Sequence, residues 1–303
     1  MKFKKVISLI LATSMLFALA GCGSDGSSTE GSSNDSGKTA DKNTPRIIAG
    51  SVATGQILDE LKIPMIGRVS TQYELPKDMQ DLPEVGLPMS PDVEKIMELE
   101  PDKYILSGSL EEIVGDKLAA VDVPTEYYDL SSYDAVFETI KEIGKNYGKE
   151  KEAEATVKRL KEHEAEVLKS VEGKEPKKVM ILFGAPGAFL LATKDSFAGS
   201  LVDLLKCENI ANGTDIKGAY VPFSMEVALK EDPDIILRMY HGYIDEAMAQ
   251  VKKEFEENPQ WQQFTAVREG KVYDLDDKIF NVTGNLKADE SLSSMRELLY
   301  GDE

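Results

Sequence analysis

KEKEAEATVKRLKEHEAEVLKS, residues 149–170, decides how this chain of 303 residues is organised. The stretch contains neither glycine nor proline, and Gly173 and Pro176 follow it as stop signals. Its apolar residues recur at three- and four-residue spacing, at Ala153, Val157, Leu160, Ala165, Val167 and Leu168. The pattern predicts one helix of about 20 residues, on the order of 30 Å long. This helix separates an earlier half of the chain from a later half.

Short apolar segments alternate with helical patterns in both halves. Arg46–Ala49 and Tyr104–Leu106 have the composition of buried strands before the long helix, as do Lys178–Phe183 and Asp234–Leu237 after it. Strands that alternate with helices predict parallel βαβ units. We therefore predict an α/β fold of two lobes with mostly parallel sheets, joined by one long α-helix.

The chain divides into five predicted segments. They are a signal peptide (1–21), a disordered tether (22–45), an N-terminal lobe (46–147), the linking helix (148–172) and a C-terminal lobe (173–303). The tether is rich in Gly, Ser, Asp and Asn and has no aromatic residue, so it cannot bury enough apolar surface to fold. A stiff linking helix predicts small motions between the lobes, and we expect a monomer.

The first residues have the layout of a secretory signal. Three lysines within the first five residues precede the apolar run Val6–Ala20, and Leu19–Cys22 resembles the lipobox of bacterial lipoproteins. In such proteins the cysteine, here Cys22, carries lipid and becomes the mature N-terminus. A short transmembrane anchor is the alternative, but roughly 15 apolar residues fall short of the ~20 that a spanning helix needs. The expected location is the extracellular face of the cytoplasmic membrane, with membrane contact only through the lipid.

The composition is strongly acidic. The formal net charge is −19, and removal of the signal peptide, which carries three lysines and no acidic residue, makes it −22. Such a charge excludes nucleic acid as an expected partner, because phosphates repel it. It also argues against direct binding to anionic lipid. It favours a basic patch on a partner protein.

The chain has only two cysteines and two histidines, which limits the disulfide bonds and metal sites that it could form. With Cys22 lipidated, Cys207 has no disulfide partner in the chain, and its apolar neighbours predict a buried structural thiol. His163 lies on the charged helix and is expected to be solvated, and His241 is the other histidine. Two histidines are too few for a site that binds bare zinc or manganese. The sequence contains no known enzyme signature, so we expect a protein that is not an enzyme. A lipid-anchored hydrolase is the alternative class, and no motif supports it.

Two acidic segments repeat weakly across the halves. Glu94 and Glu226 each lie in the first turn of a predicted short helix. A Pro-Asp pair that opens a strand follows seven residues after each of them, at Pro101 and at Pro233. The repeat indicates that the two lobes share a local architecture.

Together with the long helix and the lipobox, these segments resemble the substrate-binding lipoproteins of metal-chelate ABC importers, which bind siderophores, cobalamin or haem. The sharpest matches, Val85–Glu94 and Leu237–Gly242, are similar to the haem-receptor lipoproteins of Gram-positive bacteria, of the iron-regulated surface determinant type. Further matches are Phe183–Gly187, Ala192–Phe197 and Glu208–Ala211. The resemblance implies a lipid-anchored extracellular protein that delivers haem to an ABC importer for iron acquisition. A ferric siderophore or a corrinoid is the alternative ligand.

The resemblance also implies that Met89 and His241 ligate the haem iron from opposite lobes. The residues themselves support this, because Met89 lies in a loop rich in Gly and Pro just before a helix start. His241 follows an apolar strand, and the carboxyl ends of parallel strands line ligand crevices. Met and His are an established axial pair for haem iron. A packing methionine and a structurally satisfied histidine remain the alternatives.

Aromatic residues near predicted strand ends are candidates for the walls of a haem pocket, although each is equally compatible with ordinary packing. They are Tyr73, Phe189, Tyr220, Phe223, Tyr243 and Phe280. The haem propionates need hydroxyls, backbone N–H groups or a cation, and Arg68, Lys77 and Lys194 are open candidates for the cation.

The resemblance implies that Glu94 and Glu226, one glutamate from each lobe, contact arginines of the membrane permease. The alternative is a carboxylate that only stabilises the start of its helix, and the two roles are compatible. A surface protein that donates haem is the implied upstream partner.

Overall fold

The long helix expected from residues 149–170 is present as a 21-residue helix, Glu150–Ser170. The computed structural model describes residues 44–185, 187–213, 217–240 and 244–301. The predicted signal peptide, Cys22 and nearly all of the predicted tether lie outside the described residues. Within the described ranges, every helix is too short or too polar to span a bilayer.

The first half holds one parallel sheet. Its strands are β1 (Ile47–Ala49), β2 (Met65–Arg68), β3 (Gly86–Leu87), β4 (Ser90–Pro91), β5 (Lys103–Ser107) and β6 (Thr125–Tyr128). Its helices are α1 (Val52–Glu60), α2 (Lys77–Gln80), α3 (Val93–Glu98), α4 (Glu111–Ala119) and α5 (Tyr133–Asn146), followed by the long helix α6 (Glu150–Ser170). The sheet has the order β2-β1-β5-β6 with all neighbours parallel, while β3 and β4 form a separate antiparallel hairpin.

The second half holds a mixed sheet. Its strands are β7 (Lys178–Phe183), β8 (Leu190–Ala192), β9 (Glu208–Asn209), β10 (Tyr220–Pro222), β11 (Ile235–Met239) and β12 (Val272–Asp274). Its helices are α7 (Phe197–Leu204), α8 (Met225–Glu231), α9 (Ile244–Glu257), α10 (Thr265–Arg268) and α11 (Ala288–Tyr300). The order is β10-β8-β7-β11-β12, with β9 beside β7. Because β8 runs antiparallel to both β7 and β10, this sheet is less uniformly parallel than the sequence predicts, but the α/β class is confirmed.

Side-chain caps begin several of the helices. Hydroxyl or carboxylate oxygens of the N-cap residue accept a backbone N–H from the first turn at Ser51, Asp92, Ser132, Ser196 and Ser224. Each cap satisfies one backbone donor that has no partner inside the helix, which explains where these helices start.

Helix α6 buries a stripe that differs slightly from the predicted one. Its buried residues are Ala153, Thr156, Val157, Leu160 and Val167. Ala165, which the periodicity places on the apolar face, is exposed. Thr156 is buried instead, and its hydroxyl donates to Glu60 Oε1 at 3.1 Å. The hydrogen bond satisfies the polar group, which is why a threonine can occupy the apolar face.

His163 is only partly exposed, whereas the sequence analysis expects a solvated side chain. Its ring is partly buried, and Nε2 lies 2.7 Å from the hydroxyl of Ser293 in α11. The histidine therefore joins two packed helices. Cys207 is buried as predicted, and its thiol lies 3.4 Å from the hydroxyl of Tyr300.

One hydrophobic core connects the two sheets. It contains Ile47 of β1, Ile143 of α5, Leu160 of α6, Val179 of β7 and Leu292 of α11, each 0 % exposed. Helices α5, α6, α7 and α11 thus lie in the same core as strands of both sheets, and the described residues from 44 onward form one compact unit. The lobe boundaries at 147 and 172 stay a prediction, because packing does not interrupt the core there.

Helix α7 approaches a backbone so closely that one position tolerates only glycine. A Cβ atom at Gly199 would lie 1.8 Å from the carbonyl oxygen of Thr193, a backbone atom that cannot rotate away. Replacement of a helical glycine by alanine normally stabilises a protein by up to about 1 kcal/mol. Gly199→Ala should instead lower the free energy of unfolding by about 3 kcal/mol or more, because the clash must be relieved by backbone movement.

Gly115→Ala is the matched control, since this glycine also lies in a helix, α4. The nearest atom to its added Cβ is the hydroxyl of Tyr127 at 3.3 Å, at the end of a side chain that can move. We expect this variant to be as stable as the wild type or more stable in urea unfolding. Equal unfolding midpoints for Gly199→Ala and the wild type would show that the packing around α7 is described wrongly.

Candidate ligand-binding site

A cavity of about 700 Å³ lies where strands of both sheets end. Ser51 follows β1, Ser107 ends β5 and Phe183 ends β7, and all three line the cavity. This is the position at which open α/β sheets bind ligands, beyond the carboxyl ends of parallel strands. Its volume is typical of small-molecule sites. The cavity is therefore the candidate ligand-binding site.

Met89 reaches this cavity from a tight hairpin. It lies in the turn between β3 and β4, where Leu87 pairs with Ser90. The hairpin requires Gly86, whose φ is +90° and whose added Cβ would lie 2.7 Å from the backbone nitrogen of Asp92. The side chain of Met89 is 55 % exposed and lines the cavity, so it is not a core methionine.

Tyr73 and Tyr220 are the other predicted residues that line the cavity. The hydroxyl of Tyr73 donates to Asp277 Oδ2 at 3.1 Å, which links the first half of the chain to the second. Burial, and then the charge of Asp277, raise the pKa of Tyr73 to about 12. The ring of Tyr220 packs on Phe183 with centroids 4.7 Å apart. Burial raises the pKa of Tyr220 to about 12.

Two buried polar atoms in this lining have no hydrogen-bond partner among the described residues. They are the hydroxyl oxygen of Tyr220 and Oε1 of Gln56. Buried polar groups are normally satisfied, because an unmade hydrogen bond costs about 1–3 kcal/mol.

Phe189, Phe223 and Phe280 do not line this cavity, which corrects the expectation for its walls. Phe189 and Phe223 pack against Trp261, with ring centroids 5.9 Å and 5.5 Å from it. Phe280 is 1 % exposed and belongs to the common core. Phe189 and Phe223 are only partly buried beside Trp261, and Phe183 supplies an aromatic wall of this cavity.

His241 and Tyr243 lie outside the described residues, but the strand before them is firmly held. Met239 of β11 pairs with Phe183, which lines the cavity. The guanidinium of Arg238 donates to both carboxylate oxygens of Asp274 at 2.7 Å, and the hydroxyl of Tyr240 donates to Asp274 Oδ1 at 2.6 Å. The sequence does not mark Asp274, because an acidic residue at the end of a short strand carries no distinctive signal.

Arg68, Lys77 and Lys194 are not cations of this cavity. The guanidinium of Arg68 is buried and donates to the carbonyl oxygens of Met79, Val69 and Gln80, besides its ion pair with Glu84 at 3.0 Å. Lys77 is exposed on α2, away from the lining, and Lys194 lines a separate polar depression.

Lys278 and Lys287 line the cavity instead. Both lie in the irregular segment between β12 and α11, where neither hydrophobic periodicity nor a motif marks a functional position. No sequence signal therefore distinguished them from the other lysines of the chain.

Glu94 and Glu226 are exposed second residues of α3 and α8. The capping hydrogen bonds belong to Asp92 and Ser224, so neither glutamate acts as the cap. No ion pair or hydrogen bond joins either side chain to another described residue. Both carboxylates are thus available to a partner.

A bare metal ion has no site in the part of the chain that the structure describes. His, Cys, Asp and Glu side chains form no group of three or more there that could hold one.

Comparison with known proteins agrees with this geometry. The sequence profile of a family described as periplasmic binding protein matches residues 47–279. The chain belongs to this family. It is therefore a binding protein and not an enzyme, as the sequence analysis expects.

Its relatives include a protein of a heme uptake system and a substrate-binding protein of an ABC transporter. The "High-affinity heme uptake system protein IsdE" of Staphylococcus aureus strain MRSA252 is 32% identical over 263 residues, which cover 85% of this chain and 88% of the relative. An ABC transporter substrate-binding protein from Listeria monocytogenes EGD-e has a TM-score of 0.81 at 34% identity, over 85% of this chain and 99% of its own. The structure of S. aureus IsdE complexed with heme has a TM-score of 0.79 at 30% identity, over 84% of this chain and 99% of its own.

The hydrogen bond from Tyr73 to Asp277 predicts a pH-dependent contribution to stability. Tyr73→Phe should lower the free energy of unfolding by about 1 kcal/mol near neutral pH, the value of a typical hydrogen bond. Because folding raises the pKa of Tyr73 from about 10 to about 12, the contribution is complete below pH 10 and disappears as pH rises to 12. Urea unfolding of both proteins across this range measures the difference. A difference that persists unchanged to pH 12, or that never exists, contradicts the assignment.

Proposed function

We propose that this chain is a lipid-anchored extracellular protein that binds haem and delivers it to an ABC-type importer for iron acquisition. The observation that carries the proposal is the exposed thioether of Met89 in the lining of a cavity between two sheets. Support comes from relatives whose names and titles state heme uptake and heme binding.

Met89 and His241 are the proposed axial ligands of the haem iron. A solvent-exposed methionine contributes little to folding, and a thioether is a ligand of haem iron in several protein classes. His241 comes two residues after Met239, whose strand neighbour Phe183 belongs to the lining. The carboxylate of Asp274 anchors Tyr240, the residue immediately before His241. These contacts support a fixed position for the strand that would present the imidazole.

The proposed anchor is the lipidated Cys22, followed by the tether to residue 45. Anchoring through lipid would keep the binding protein beside its importer on the extracellular face of the cytoplasmic membrane, and stable anchoring needs more than one acyl chain. The lobes of residues 46–147 and 173–303, the monomeric state and a haem-donating surface protein are parts of the same proposal.

Glu94 and Glu226 are the proposed contacts to the permease. Each carboxylate is exposed beside an exposed apolar side chain, Met97 at 49 % on α3 and Val227 at 52 % on α8. Exposed charge next to exposed apolar surface is the composition of a protein interface. Complementary charges of this type set orientation and the rate of encounter.

A ferric siderophore is the second candidate ligand. Polar side chains of the lining, Gln56, Tyr220 and Asn281 among them, favour it, since the hydrocarbon edge of a porphyrin offers no polar group to pair with them. A ligand with polar groups on every side would have more partners in such a lining. A corrinoid, with its amide side chains, is a further member of this class.

Absorption spectroscopy with added haem tests the axial ligands. The full-length protein should bind one haem with a shifted Soret band, and both Met89→Ala and His241→Ala should change that band and weaken binding about tenfold or more. Met97→Ala is the matched control, because Met97 is similarly exposed but lies outside the cavity lining. Unchanged spectra in both ligand variants would refute the axial assignment. Binding of a ferric siderophore without haem binding would favour the second candidate.

Uptake in cells tests the docking glutamates. With haem as the sole iron source, the Glu94→Ala, Glu226→Ala double variant should slow uptake about tenfold while its haem affinity stays unchanged, because charge pairs steer association. Glu154→Ala is the control, since Glu154 is an exposed glutamate on the long helix α6. Wild-type uptake by the double variant would remove these residues from the interface.

A further inference from the structure

The charge of the cavity lining is opposite to the charge of the chain. Among the described residues the charged lining side chains are Glu74, Lys278 and Lys287, which leaves the lining with one positive charge in excess. The chain as a whole carries −19. The net charge of the chain repels an anionic ligand, but the two lysines of the lining attract it at short range, because nearby charges dominate over distant screened ones.

Neither cavity lysine is paired. No carboxylate of the described residues lies within 4 Å of the ammonium group of Lys278 or Lys287, whereas Lys103 and Lys271, for example, form ion pairs at 2.8 Å and 2.6 Å. The acids nearest to Lys278 in the chain have other partners. Asp277 accepts the hydroxyl proton of Tyr73, and Asp276 accepts the backbone N–H of Lys278. Both ammonium groups are therefore free to bind an anion.

The surrounding backbone favours negative charge as well. Lys287 is the N-cap residue of α11, and its side chain makes no capping hydrogen bond. Ser51, the N-cap of α1, lines the same cavity. The amino-terminal ends of helices carry partial positive charge, and the first turn of α1 contains no acidic residue, so the start of α1 adds to the attraction that the lysines exert on an anion. At the start of α11, Asp289 and Glu290 offset this contribution.

We propose that Lys278 and Lys287 form a carboxylate subsite, so that the cavity selects tetrapyrroles with free carboxylate side chains whether or not they contain iron. The inference rests on the proposed haem-binding function and names the part of haem, its two propionates, that this chain recognises. Ammonium–carboxylate hydrogen bonds are charge-assisted and therefore stronger than neutral ones. Tetrapyrroles with esterified or amidated side chains, corrinoids among them, lack the negative charges that the subsite requires.

The test compares metal-free protoporphyrin IX with its dimethyl ester, because neither involves an axial ligand. Binding to the full-length protein is followed by porphyrin fluorescence at low ionic strength. The Lys278→Gln, Lys287→Gln double variant should bind the free acid about five- to tenfold more weakly than the wild type does. Its affinity for the ester should equal that of the wild type, which should itself bind the ester more weakly than the acid.

Lys194→Gln is the matched control, since it removes the charge of an exposed lysine outside the cavity. It should bind both porphyrins as the wild type does, and thermal unfolding should show that all variants are folded. Raising the salt concentration should weaken binding of the free acid to the wild type more than to the double variant.

Three outcomes overturn the inference. One is equal affinity of wild type and double variant for the free acid, and another is equal affinity of the wild type for acid and ester. Either result, with Soret changes in Met89→Ala and His241→Ala, leaves the proposed function standing without the subsite. A wild type that binds neither porphyrin nor haem refutes the proposed function and the subsite together.

Discussion

The site depends on one constraint, the hydrophobic core that both sheets share. Strands β1, β5, β7 and β11 contribute to it, and helices α5, α6, α7 and α11 fill the space between them. Because a packed core resists deformation, the carboxyl ends of strands from both sheets are held around one cavity. The cavity is thus formed by the fold and does not have to be assembled by the ligand. Pre-organisation of this kind reduces the cost of binding.

The side chains that face the cavity occupy positions that contribute little to the stability of the fold. Met89 lies in a hairpin turn, and Lys278 and Lys287 lie in an irregular segment, so none of the three contributes to the core. Neighbouring residues fix the position of the hairpin that carries Met89. Gly86 permits the hairpin, and Arg68 holds the adjoining chain through three carbonyl oxygens and Glu84. The residues proposed to bind the ligand are therefore different from the residues that stabilise the fold.

The sequence predicts local features well, because they depend on neighbouring residues. The long helix, the alternation of strands and helices, and the exposed helix starts at Glu94 and Glu226 follow from periodicity, capping and repeated spacing. Features that depend on distant contacts were missed. Phe189 and Phe223 pack on Trp261 outside the cavity lining, and the contact of His163 with α11 has no local signal. For the same reason no pattern assigned Lys278 and Lys287 to the cavity, whereas the Met89 segment was found through its resemblance to a known family.

The central claim is that the shared core holds a preformed cavity. Crystal structures of the purified protein with and without haem test this claim most directly. The account predicts that the two sheets superimpose as one body with a rotation of only a few degrees. Haem would lie between them, with the sulfur of Met89 bonded to its iron. A hinge rotation of tens of degrees about the long helix, or haem bound with Met89 far from the iron, would contradict it.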